Sequence, residues 1–426
     1  MMFVYQSIGA RQSKIGARRK TYWIDNSEML LIPRLRYTCR RKTEQEEMSM
    51  GAVHIKDEER IGSEAKVKLE PSVYLQKLYQ SGTPDLGWMN QMGEWGVRAK
   101  PGNLGLRLKD IQIGSYGIIP EHGGAHRSMA PRGAMIPDDV PSLGFTINEK
   151  AECWADNVTE LYEEAVARQW SSARDIPWTE LKPLPDDLER AMCQLCTFLT
   201  EVEFIAADAP TRWMGQMNHD FFEVKMFLAT QAMDEARHMD VFRKRALANG
   251  GGLGKASPIS ELSLKRIFDC PSFSAQTGRL QLLGEGFVLT MFRQGEFIAP
   301  SRVDQEIFRR CMQDESRHVG FGTMHLRAQL KANPAVAEEL HEQLDDAERI
   351  LLETFSVPEA VEPMAILMGG GIEHFDKGME LQGQLWRKIV HEYLQRCDSA
   401  GLDRRPRCIL PTEFNKLFEA PDAVVS

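Results

Sequence analysis

What this chain of 426 residues lacks bounds what it can be. No run of eighteen apolar residues occurs in it, so no segment qualifies as a transmembrane helix. Basic residues are not in excess: 52 Lys and Arg face 61 Asp and Glu, a formal net charge of −9, and phosphate recognition wants a concentrated basic surface. No nucleic-acid partner is expected. Eight cysteines are scattered without the density of a small secreted scaffold, and only Cys193 and Cys196 form a CxxC, with no second pair to complete a zinc site. Both read as small core residues, and a reducing cytoplasm is the expected location. Neither a GxGxxG fingerprint nor an iron–sulfur cysteine cluster occurs, so any redox chemistry must draw its electrons from outside.

Four regions follow from composition. Residues 1–47 carry ten Lys and Arg up to Lys42, against few acids, and read as a basic leader or a mis-assigned start ahead of Met48 or Met50. Residues 48–147 are rich in Gly and Pro and read as irregular structure with room for a short strand. Residues 148–400 turn to long helical periodicity, with a core at 186–331, and residues 401–426, with Pro406, Pro411 and Pro421, read as an extended tail. Within the helical region, breaks and caps predict helices from Asp186 to Pro210, from Asn218 to Asn249, from Ser260 to Asp269, and from Thr277 to Ala299. A helix opened by Ser301 follows, then two outer ones over 334–355 and 371–399.

The chain holds one unusual pentapeptide twice: DEARH at 234–238 and DESRH at 314–318, each in mid-helix. Residues three apart share a helix face, so Glu235 points with His238 and Glu315 with His318. Glu-x-x-His on each of two facing helices is how di-iron and di-manganese bundles hold their ions, and each remaining helix must then add one inward Glu. Glu285 lies fifteen residues before Pro300 and Glu315 fifteen after it, so an antiparallel pair sets them level; Glu296 falls too near the turn. In the first hairpin Glu203 shares a face with Cys196, Leu199 and Ala206, whereas Glu201 turns away. The spacings repeat, with 82 residues from Glu203 to Glu285 and 80 from Glu235 to Glu315 and from His238 to His318. Asp234 and Asp314 stand four residues before the histidines, placed to accept the proton of the imidazole nitrogen that does not bind metal. Arg237 and Arg317 are placed to pair with those aspartates within or between helices. Four glutamates balance two divalent ions.

On these residues the chain resembles the ferritin-like di-iron carboxylate oxygenases, and within them the hydroxylase large subunits of bacterial multicomponent monooxygenases. The paired DExRH motifs, "EFIAADA" at 203–209 and "LQLLGEGF" at 280–287 carry the likeness over roughly 186–330. It implies a mostly α fold, a four-helix bundle with flanking helices and an irregular N-terminal region. It implies that Glu203, Glu235 and His238 bind one iron and that Glu285, Glu315 and His318 bind the other. Glu235 and Glu315 would bridge at the reacting centre, with Asp234, Arg237, Asp314 and Arg317 behind the ligands. The cofactor is then a pair of irons, although manganese with iron suits the same donors. The implied activity is O₂-dependent oxidation of a small organic substrate, fed by an external reductase, with room for a homodimer. The family's hydroxyl residue one turn after the third glutamate is Leu289 here, with Thr290 only adjacent.

Other members of the superfamily fit less well. A ribonucleotide reductase subunit needs a tyrosine beside the metal, and the position one turn after His238 is Phe242. Di-iron N-oxygenases add a histidine one turn before the second Glu-x-x-His, where this chain has Cys311, with Gln231 at the matching place of the first hairpin. A ferritin-like storage protein needs a polar ion route, but Phe287, Val288, Leu289, Met291 and Phe292 follow Glu285.

Overall fold

The computed structural model describes residues 72–124, 128–137 and 140–418. The leader assigned to 1–47 lies outside them. The chain divides into two compact units, Met1–Gly82 and Thr83–Ser426. In the first, the described part is helix α1, Val73–Ser81, capped by the Ser72 hydroxyl and closed by Gly82 at φ +64°, where a side chain would be strained.

The second unit is helical, and no strand occurs among the described residues, only three isolated β-bridges. It opens with the Gly- and Pro-rich segment, which holds short helical turns and α2, Leu108–Ile111. Polar anchors fasten this segment to the helices. Leu108 N donates to Glu163 at 2.7 Å, Gln112 donates to Glu223 at 2.8 Å, and Arg132 forms a buried ion pair with Glu223. Glu163 lies on α3, Val158–Ala167.

Helix α4, Asp186–Thr211, starts on Asp186, Asp187 and Glu189, whose charge favours the helix N-terminus, and buries the stripe Met192, Leu195, Leu199 and Ala206. Helix α5, Phe222–Ala248, follows a 3₁₀ turn at His219–Phe221 that Asn218 caps through Asp220 N. Next come α6, Pro258–Phe268, and α7, Phe273–Thr277. Then the regular 3.6 period breaks: Gly278–Glu285 is a π-helix, continuing into α8, Gly286–Ile298. The single predicted helix over 277–299 is therefore two segments that run on from α7, and Glu285 closes the π-turn. Helix α9, Arg302–Ala332, begins as predicted on Ser301, which accepts from Asp304 N at 3.1 Å.

Helices α10, Val336–Thr354, and α12, Phe375–Ala400, match the two outer helices, but α11, Pro358–Gly369, occupies what reads in the sequence as a connector. Pro358 begins it and Gly370, at φ +84°, ends it. Its sequence is apolar on most sides because it packs on both α4 and α12, so no amphipathic period marks it. The tail expected to be extended contains α13, Leu410–Phe418. Leu410 and Phe414 are buried, and Phe414 stacks on Trp386 at 4.5 Å, so apolar docking outweighs the helix-breaking prolines around it. The main core joins α4, α5, α8, α9 and α12 into one apolar cluster. No helix among the described residues is long and apolar enough to cross a membrane.

Candidate metal centre

Helices α4, α5 and α9 and the π-turn converge on six side chains. Two donor groups form, Glu203, Glu235, His238 and Glu315 in one, and Glu235, Glu285, Glu315 and His318 in the other, each with one donor atom per residue within 4.8 Å of the rest. Glu235 and Glu315 belong to both. All six predicted residues are brought together, and all are at most 3% exposed. Glu201 and Glu296 are not among them.

Both imidazoles aim the same edge inward. His238 Nδ1 lies 3.0 Å from Glu235, 3.2 Å from Glu315 and 3.9 Å from Glu203. His318 Nδ1 lies 2.9 Å from Glu235 and 3.5 Å from Glu315, out of line for a hydrogen bond. Glu203 Oε1, Glu235 Oε1, Glu285 Oε2 and both Glu315 oxygens have no hydrogen-bond partner among the described residues. Buried carboxylate oxygens left bare cost several kcal/mol each unless a cation meets them, on the order of 3–5 for an uncompensated charge. No arginine or lysine among the described residues pairs with any of the four glutamates. The donor set therefore fits two metal ions: four carboxylates and two imidazoles, with divalent charge to neutralise them.

Electrostatics point the same way. Burial, then Glu235, push the Glu203 carboxyl well above its ordinary range, and burial does the same to Glu285 despite His318. Burial works against charge on His238, but Glu235 and Asp314 more than offset it; Glu235 and Asp234 do so for His318. Both imidazoles are raised well above their usual value. Glu235 shifts down, because the two imidazoles outweigh its burial. Protons thus stand where cations would bind, and metal must displace them.

Behind the ligands the pairing is crossed. His238 Nε2 lies 3.2 Å from Asp314 and His318 Nε2 lies 3.3 Å from Asp234. The sequence reading, which paired each histidine with the aspartate four residues earlier on its own helix, is corrected here. Because Nδ1 turns toward Glu235 and Glu315, Nε2 points across to the facing helix, beyond reach of its own aspartate. Arg237 and Arg317 each contact both aspartates, with Arg317 at 2.7 Å from Asp234 and 2.5 Å from Asp314, and Arg237 at 3.1 Å from Asp314. Two cations balance two anions, so the glutamate charge is left for the centre.

Three contributors escaped the sequence reading. Trp170, far upstream, donates its Nε1–H to Asp314 at 2.7 Å and stacks on His238 with ring centroids 6.5 Å apart. Gln169 contacts Arg237 and Asp234. Gln231 donates to Glu285 at 2.8 Å. Its place one turn before Glu235 was the available signal; for Trp170 and Gln169, in the connector between α3 and α4, no local pattern exists. Cys311, at the equivalent place in the second hairpin, sits against His238, and burial pushes its thiol up to about 12, so it stays protonated.

A cavity of about 80 Å³ opens beside the centre. Glu203, Glu285 and Glu315 face it, and Phe198, Val202, Leu264, Ile267, Phe287 and Phe355 form much of its apolar wall. Thr290 donates to Gly286 O or Glu392 and is engaged away from this site.

No family model matches the chain, and no match to a curated protein was found. Among solved structures it is similar to an R2-like ligand-binding oxidase with aerobically reconstituted metal cofactor after photoconversion, at TM-score 0.42 and 16% identity, covering 58% of this chain and 93% of that one. A variant of such an oxidase with an anaerobically reconstituted Mn/Fe cofactor gives TM-score 0.43 and 16% identity over 58% and 94%. Another with an aerobically reconstituted Fe/Fe cofactor gives 0.41 and 16% over 58% and 93%.

Proposed function

We propose that this chain is an O₂-dependent di-metal oxidase of the monooxygenase type, acting on a small organic substrate. The observation that carries the reading is the bare, buried cluster itself: unpaired oxygens from four glutamates and two inward Nδ1 atoms, facing an apolar cavity. Glu203, Glu235 and His238 would hold one ion and Glu285, Glu315 and His318 the other, with Glu235 and Glu315 shared. The pair is iron with iron or manganese with iron. Bound there, the ions supply the electrons and the Lewis acidity that O₂ reduction requires.

The chain's own residues do the rest. Asp314 and Asp234 fix the tautomer of His238 and His318 by accepting their Nε2–H, leaving Nδ1 as the donor to metal. Gln231 orients Glu285. The apolar cavity wall binds substrate and limits water, so oxidising equivalents meet a C–H bond before solvent. Electrons come from a separate reductase, of the kind that serves multicomponent hydroxylases, since the sequence holds no dinucleotide fingerprint.

Anaerobic loading with ferrous ion, followed by mixing with O₂, tests the reading. Two ions per chain and rapid O₂ consumption support it. Two ions with slow, featureless oxidation favour storage, and no tight binding overturns it.

A further inference from the structure

Oxidation of this type consumes protons as well as electrons. Conversion of R–H and O₂ to R–OH and H₂O takes two electrons, here from a reduced flavin or iron–sulfur donor protein, and two protons. The hydroxyl position that serves the resembled family after its third glutamate is Leu289 in this chain. Thr290, its neighbour, is bound to Gly286 and Glu392.

Orphaned polar groups lie on the opposite side of Glu285. Gln281, one turn earlier, is 0% exposed, yet neither atom of its amide has a hydrogen-bond partner among the described residues. Thr277, one turn earlier again, is also 0% exposed, and its hydroxyl is equally bare. That is unusual inside a helix: Thr197, Thr200, Thr290 and Thr354 all donate to the carbonyl four residues back. Buried polar groups without protein partners are normally met by ordered water.

The file has two ends. Ser274, three residues before Thr277, lines a polar cleft of about 670 Å³ that also holds Glu121, His122 and Gln329. Ser274 Oγ lies 2.8 Å from His325 Nε2, and His325 Nδ1 lies 3.0 Å from Trp154 O. A carbonyl only accepts, so Nδ1 carries the proton, Ser274 donates to Nε2, and the serine's lone pairs remain free to accept. At the inner end is Glu285, whose Oε2 is bare, beside His318. Eleven residues separate Ser274 from Glu285, most of them in the π-turn. The facing wall is α9, where His318, Gly322 and His325 follow at helical spacing. Gly322 brings the α9 backbone close against this strip, since a Cβ there would stand 2.3 Å from Gln281 Cβ and 3.3 Å from Thr277 Cγ2.

The geometry points to a hydrated polar file, formed by Ser274, Thr277 and Gln281, that conducts protons from the cleft to the Glu285 and His318 half of the centre. It rests on the oxidase reading for its purpose, but its existence is tested separately. In this chain the path approaches Glu285 from the π-helical side.

Two measurements decide it. A high-resolution crystal structure of the metal-loaded protein is expected to show ordered waters bonded to Thr277 Oγ1 and the Gln281 amide; a dry, closed file overturns the proposal. In parallel, Gln281→Leu and Thr277→Val are loaded with ferrous ion and mixed with O₂ in H₂O and D₂O. Both are expected to bind two ions per chain, consume O₂ on the order of tenfold more slowly, and show a larger solvent isotope effect, while Thr277→Ser retains the wild-type rate. Wild-type rates and isotope effects in both variants overturn it. If the wild-type protein binds two ions but ignores O₂, the oxidase reading fails, and with it the file's role in proton conduction.

Discussion

His238 Nε2 and Asp314 Oδ2 meet at 3.2 Å across the gap between α5 and α9, and His318 with Asp234 repeats the contact at 3.3 Å. Each pentapeptide therefore completes the other's site. Replacing Asp314 with Ala releases the tautomer of His238, the proposed ligand of the Glu203 half, although Asp314 lies on the helix that carries His318. The expected outcome is a loss of roughly 10–100-fold in affinity for one of two ions, read by competition with a chelator. Asp234→Ala is expected to weaken the other. If each variant instead affects the histidine on its own helix, the crossed arrangement is wrong.

Glu235 and Glu315 lie in both donor groups, whereas Glu203 and Glu285 each lie in one. Glu235→Ala or Glu315→Ala is expected to prevent stable binding of both ions, and Glu203→Ala to leave one ion per chain. Metal analysis of the purified variants distinguishes these outcomes, and two ions in a Glu235→Ala protein would remove that residue from the centre.

Protonation makes metal binding and stability depend on pH in opposite directions. In the metal-free protein, Glu203 and Glu285 are held protonated above the usual carboxylate range, and His238 and His318 above the usual imidazole range. The folded state thus holds more protons than the unfolded one from the ordinary values upward, so metal-free stability falls as pH rises through the raised values. Metal affinity rises over the same window because fewer protons must leave. Thermal unfolding of the apo and loaded protein between pH 6 and 9, both approximate bounds set by the reference imidazole range, is expected to show curves that diverge with pH. Parallel curves would mean that these groups are not the metal's donors.

The convergence of the six side chains was legible in the sequence because its pattern repeats: paired Glu-x-x-His at helical spacing, with two level glutamates, is a one-dimensional signal of a three-dimensional cluster. Crossing of the aspartates was not legible, since the choice depends on which imidazole nitrogen turns inward. Trp170 contributes its hydrogen bond to Asp314 from a position with no pattern of its own. The same limit explains the missed helix α11, buried on two sides and so lacking a polar face to mark its period. The π-turn escaped because residues on either side of it keep a helical appearance in sequence. The docked tail helix α13 owes its order to tertiary partners, which composition cannot show.

That docking gives a stability prediction far from the centre. Arg404, just after α12, is fully buried and contacts Glu348 at 2.7 Å and Asp345 at 2.7 Å, while Tyr393 donates to Glu348 at 2.8 Å and Ile409 N to the same carboxylate at 3.1 Å. Removing the guanidinium leaves Glu348 buried without a counter-charge. Arg404→Ala is expected to cost about 3–5 kcal/mol and to expose the tail to proteolysis, without changing metal stoichiometry in protein that remains folded.

The π-turn links stability to the centre more directly. Arg396 on α12 donates its Nε–H to Leu282 O at 3.0 Å, within the π-turn, and its guanidinium stands where a Cβ on Gly286 would approach to 2.5 Å. Gly286 follows Glu285, so the space left by its missing side chain is what lets the arginine reach in. Arg396→Leu keeps much of the apolar stem but leaves the Leu282 carbonyl short of a donor, an expected loss of about 1–3 kcal/mol. More telling is the metal content: with the π-turn released, Glu285 loses its fixed direction, and the ion shared with His318 is expected to bind more weakly than the ion at Glu203. Equal weakening of both ions would mean that Arg396 supports the bundle as a whole. Selective weakening, together with the same selectivity in Gly286→Ala, would show that the π-turn sets Glu285, because the two substitutions disturb one contact from its opposite sides.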